Sequence, residues 1–261
     1  MNSSSNSMTH RRFPLALAAA SLLLAACGGG SGSDVSTPST APAIADNVLF
    51  SVTPGMGVVA TINKAGYLRA YDMSSGHPVT IALGSTPMTG NATSAAGNGW
   101  LLSSTVFAQS TVSLNSNANT TTYTLKAQSA NVQVSNSTMK LASNLTKPTL
   151  SALDGNYQTG PYYTMTINGS SFTGNYGFCS WSGTMSPNIN TIDVTNIKFE
   201  NIAAQENITG QICPYVGKSF HGTAYLLGPS AAYAKGAIDI IFDDSDSSTP
   251  TMINLYNFIR Q

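Results

Sequence analysis

Charge is what this chain has least of. Only 8% of its 261 residues are Asp, Glu, Lys or Arg, against about 25% in ordinary globular proteins. Arg11 and Arg12 stand near the amino terminus, so the rest of the chain is slightly acidic and its cations are scattered. Neutralising phosphates needs clustered Lys and Arg, so no nucleic-acid partner is expected. Histidine is nearly missing too, with only His10, His77 and His221. Metal sites and general acid–base pairs draw on clusters of His and carboxylates. No Gly-x-Ser-x-Gly elbow, His-Glu-x-x-His pair or phosphate-binding glycine loop occurs. The expectation is therefore no catalytic residue, no metal and no cofactor. A long apolar run is also absent: the uncharged stretch from Phe13 to Ala26 has 14 residues, short of the roughly 20 needed for a spanning helix. Low charge does not mean disorder here. Hydrophobic residues make up 42% of the chain, whereas disorder combines low hydrophobicity with high net charge.

Residues 1–26 carry the three parts of an export signal: positive Arg11 and Arg12, the apolar run, then small residues at its end. Met8 serves as a starting residue as well as Met1, because Met8-Thr-His-Arg-Arg is a more ordinary opening for such a segment. Leu24-Ala25-Ala26-Cys27, followed by glycines, resembles the lipobox of bacterial lipoproteins. The resemblance implies that the leader is removed before Cys27, that diacylglycerol is attached to its thiol, and that the new amine is acylated. Two or more chains hold a protein stably at a membrane where one does not, at about 0.8 kcal/mol per buried methylene. In that family Asp after the cysteine retains the protein in the inner membrane, so Gly28 implies the outer membrane, facing either the periplasm or the cell surface. The membrane is thus the expected partner through the lipid; a protein or glycan partner stays unidentified.

Residues 27–46 read as a tether. Gly, Ser, Thr and Pro dominate and apolar periodicity is absent. The 19 residues after Cys27 give a root-mean-square reach on the order of 25 Å. Cys179 and Cys213 are the other two cysteines. Outside the inner membrane the setting is oxidising, and two cysteines there form one bridge more often than not. The alternative, a metal or catalytic thiol, has no His within ligand spacing of either residue.

Beyond the tether, strand signals dominate. Tyr163-Thr-Met165-Thr-Ile167 alternates apolar and hydroxylic residues, the period of a half-buried strand. Asn168-Gly169 follows, and Phe172-Thr-Gly174-Asn-Tyr176 alternates again, so 161–176 is predicted to be a hairpin. Val58–Ile62 and Tyr67–Met73 flank Asn-Lys-Ala-Gly in the same way. Further strands are predicted at 79–83, 99–106, 109–114, 121–128, 131–135, 179–185, 191–200, 209–215, 219–227, 235–242 and 251–258, with a helical turn at Ile202–Gln205. Turn signals at this spacing favour an antiparallel barrel or sandwich over βαβ units. The predicted fold is all-β, with strand-rich halves at 47–145 and 150–261. Thr61-Ile62-Asn63 with Tyr67 and Tyr71 also matches Thr166-Ile167-Asn168 with Phe172 and Tyr176 at one constant offset. Two similar hairpins explain that as well as a duplication does.

Leu153, Gly155, Tyr157, Asn168, Gly169, Cys179, Gly183 and Cys213 form a pattern similar to that of a set of largely uncharacterised β-rich lipoproteins of Gram-negative bacteria. It covers roughly 150–245, and implies a fold and a compartment but no activity. Among site candidates, His77 reads as an exposed loop residue and His221 as a solvent-facing strand residue. Asp243-Asp244-Ser-Asp246 offers oxygen ligands of the kind Ca²⁺ takes, but lacks the EF-hand glycine and distal Glu and reads as a solvated turn. Trp100, Tyr162, Tyr163, Trp181, Tyr215 and Tyr225 suit either a sugar or hydrophobic ligand site or a packed core. Two functions fit: a lipid-anchored, non-catalytic binding or structural module, or a small barrel carrying a hydrophobic ligand.

Overall fold

The computed structural model describes residues 42–261, except 53–56, 73–78, 92–93, 103–106, 118–120, 129–136, 203–211 and 245–250. Cys27, His77, Asp246 and the strand predicted at 131–135 lie outside the described residues. Thr, Val, Ile, Tyr and Phe suit a pleated surface, and they recur here in short runs broken by polar turns. The first runs give β1 (Asn47–Ser51), β2 (Val58–Ile62), β3 (Leu68–Asp72), β4 (Val79–Gly84), β5 (Thr89–Gly90), β6 (Ser94–Leu102), β7 (Phe107–Ser116), β8 (Thr122–Gln128) and β9 (Ser137–Leu141). These form one antiparallel sheet that curls round on itself. β9 pairs back onto β1, and β4 meets β6 along a short seam of three residue pairs.

After β10 (Leu145–Thr146) and a single helical turn α1 (Leu150–Leu153), a second sheet begins. Besides β10, which pairs with β16 at its rim, it comprises β11 (Gly155–Gln158), β12 (Tyr163–Asn168), β13 (Ser171–Tyr176), β14 (Cys179–Pro187), β15 (Ile192–Asn201), β16 (Phe220–Leu227), β17 (Ala237–Asp243) and β18 (Met252–Arg260). Each strand pairs with the next, and β18 returns to β11, so eight antiparallel strands close into an up-and-down barrel. Closure decides between the barrel and the sandwich left open by the sequence. The helix was not predicted; Thr149 caps it by accepting from the amide of Ala152. The strand predicted at 209–215 is not formed over its described part, where 212–213 are irregular and 214–217 make a turn.

The described apolar side chains pack into a cluster inside each sheet. Leu49, Ile62, Leu68, Leu114, Leu125 and Met139 are buried inside the first sheet. Inside the barrel, Trp181 stacks near Phe199 and Phe242, with ring centroids 6.4 and 5.9 Å apart. Two cross-strand pairs make room for the largest rings. Gly174 lies opposite Trp181 and Gly183 opposite Phe172. A Cβ at Gly174 would meet the Trp181 indole nitrogen at 2.8 Å, and one at Gly183 would meet the Phe172 ring at 2.6 Å. The Trp181 Nε1 donates to the carbonyl of Thr164 at 3.1 Å. Cys179 and Cys213 are joined in a disulfide across 34 residues of sequence. It pins the irregular 212–217 segment to the start of β14, and a loop of that length is stabilised by roughly 3–4 kcal/mol in the chain-entropy model.

Candidate functional site

Strands with one wet face alternate, as β12 does. β2 and β17 instead are buried at every position, and β3 and β16 nearly so. Their inner faces line the sheet interiors, so something must also cover their outer faces. Each covers the other. Val48, Val59, Tyr71, Tyr225 and Ile241 form a third buried cluster, with Phe50, Leu145 and Leu227 packed against it. The described residues from 42 onward accordingly fall in one compact unit.

The polar residues on these faces are buried with their partners. The guanidinium of Arg69 in β3 donates from Nε to Asp243 Oδ2 in β17 at 2.5 Å, and from Nη1 to Thr223 Oγ1 at 3.1 Å. Both charged side chains are essentially without solvent contact. Tyr71 and Tyr225 share a hydroxyl–hydroxyl bond of 2.8 Å, and Tyr225 donates onward to Asp239 Oδ2 at 2.7 Å. Burial pushes the Asp239 carboxyl up to about 6, against which the bonds from Tyr225 and the Asn257 amide pull down. Burial likewise holds both tyrosines well above their ordinary range. Where the tether joins β1, Asp46 sits at φ 58° and accepts from the amides of Ile189 and Thr191 in the β14–β15 turn, at 2.8 and 2.9 Å.

At one border of this contact the two sheets part and leave a cleft of about 440 Å³. Asn63 and Tyr67 from the β2–β3 turn and Ser85 after β4 form one wall; Asp193 and Thr195 of β15 and His221 of β16 form the other. The second wall is irregular for an identifiable reason. The β15–β16 register slips between Val194 and Ile197, and Asn196 takes φ 53°. Such a bulge bends a strand and re-aims its side chains, and bulges gather next to functional sites. Tyr67 and His221 meet edge to face, centroids 6.3 Å apart. Asp193 Oδ2 accepts from Asn188 Nδ2 at 3.0 Å, whereas Oδ1 is buried with no hydrogen-bond partner among the described residues.

His221 is thus half-buried in a cleft wall, not simply solvent-facing, and its Nε2 lies 3.7 Å from Asp243 Oδ1. Asp243 and Asp244 correct the reading of a solvated turn. Both are buried, Asp243 against Arg69 and Asp244 beside Lys218, whose Nζ is 3.2 Å away. Among the described residues no group of three or more His, Cys, Asp or Glu is placed to hold a metal ion. The aromatic candidates separate: Trp181 fills the barrel, Tyr163 and Tyr215 pack partly buried against its core, Tyr225 lies between the sheets, and Tyr162 is exposed. Trp100, in β6, does not line the cleft. Sequence reasoning did not find Tyr67, Asp193 or the Arg69 pairing. A visible signal was the run Ala-Ile-Asp-Ile-Ile-Phe-Asp, in which charges interrupt a strand apolar on both faces. No protein-family model matches this chain, and neither a curated protein nor a solved structure matches it.

Proposed function

We propose that this chain is a lipid-anchored envelope lipoprotein of the outer membrane that acts as a non-catalytic binding module. Anchoring rests on Arg11-Arg12, the apolar run and Leu24-Ala25-Ala26-Cys27. The binding reading rests chiefly on one observation: among the described residues both interiors hold packed apolar clusters, and a concavity lined by polar and apolar groups lies outside them, between the two sheets. A carrier of a hydrophobic ligand needs an apolar cavity of a few hundred Å³. Inside the barrel that space holds Trp181, Phe199, Phe242 and Phe258 instead. The non-catalytic reading is supported by how the few titratable groups are used: Arg69, Asp243, Asp239 and Asp46 each join one strand or turn to another.

The anchor is tested by Cys27→Ser. The expected result is loss of metabolic palmitate labelling and release from the membrane fraction. Labelling and membrane partition equal to the parent would overturn it.

A further inference from the structure

We infer that the cleft between the two sheets binds a neutral saccharide, one or two sugar rings in size. This rests on the binding-module reading and names its ligand class. A site of about 440 Å³ is in the range of small-ligand pockets, roughly 300–1,000 Å³. Its walls supply hydroxyl and amide groups from Ser85, Thr195 and Asn63, the ring of Tyr67, and the carboxylate of Asp193. Sugars present hydroxyls that both donate and accept, and C–H faces that lie against aromatic rings with a polar handle. Among the described residues no Lys or Arg lines the cleft, and Arg69 nearby is already engaged with Asp243. An anionic ligand therefore has no counter-charge there. Among the described residues the buried Oδ1 of Asp193 has no partner, and an acceptor left so is unfavourable. A ligand hydroxyl drawn into that wall supplies the missing donor. The bulge at Asn196 opens the strand at the same place.

The test is ligand-observed saturation-transfer NMR on the full exported chain in detergent. The probes are glucose, galactose, mannose, N-acetylglucosamine and their common disaccharides, with sialic acid and glucuronic acid as anionic controls. Transfer to at least one neutral sugar is expected. Asp193→Asn, which keeps an oxygen for Asn188, and Tyr67→Ala are each expected to weaken it about tenfold or more. Ser85→Phe, at an exposed position, is expected to block the cleft while far-UV circular dichroism stays that of the parent. No transfer to any neutral sugar, transfer unchanged in all three variants, or transfer to the anionic controls alone would each overturn the inference. Palmitate labelling of the same preparations separates the outcomes: a labelled chain that binds no sugar sinks the cleft and leaves the anchor standing.

Discussion

At the residue scale, the unusual groups are buried polar side chains in a chain that has few charges. Asp239 is one whose ionisation bears on stability. Burial holds its carboxyl at about 6 in the folded protein, from an ordinary 3.8. The folded state therefore binds its proton more tightly than the unfolded chain does. Between about pH 4 and pH 6 this group makes stability fall as pH rises, and above that the loss is complete, on the order of 3 kcal/mol. Asp239→Asn is expected to remove that slope and to raise the urea midpoint at neutral pH. The Tyr71–Tyr225 bond can reverse its direction to suit an amide, since either hydroxyl can donate. Urea melts of parent and variant at pH 4.5 and 7.5 check this; a parent that is less stable at the lower pH only because Asp239 is present would contradict it.

At the element scale, what matters is which faces of a strand are covered. The Arg69–Asp243 pair ties β3 to β17. Removing one partner of a buried pair leaves an uncompensated charge and is unfavourable by about 3–5 kcal/mol, whereas replacing both by apolar residues is near neutral. Arg69→Met and Asp243→Leu are thus each expected to destabilise strongly, and the double variant to recover most of the loss, measured by denaturant unfolding. Additive effects would mean that the two side chains do not act as a pair. Local pattern made much of this architecture legible. The 161–176 hairpin is formed, but its tip is Gly169-Ser170 and not the Asn168-Gly169 pair, because Asn168 still pairs with Ser171 across the strands. Gly169 takes φ 59° at the first of these two positions, a conformation glycine adopts without strain. β1, β9 and β11 escaped notice because four- or five-residue strands with polar members give too little alternation to detect. The cleft escaped for a different reason: its walls come from residues more than a hundred positions apart, and no local period marks two outer faces that meet.

At the scale of the whole molecule, an up-and-down curled sheet and an up-and-down barrel share a buried wall, and the candidate site exists only where that wall opens. Everything proposed for binding depends on the two sheets behaving as one body. The chain holds two tryptophans, and they report on different sheets: Trp100 lies in β6 and Trp181 in β14. Trp100→Phe and Trp181→Phe variants therefore each leave one local probe, to be compared with far-UV circular dichroism, which reads both sheets, during urea unfolding of the same sample. The expected result is one transition in each variant, with fluorescence and dichroism superimposable. Two separated transitions, with the tryptophan of either sheet reporting only one of them, would contradict the shared wall and the site built on it.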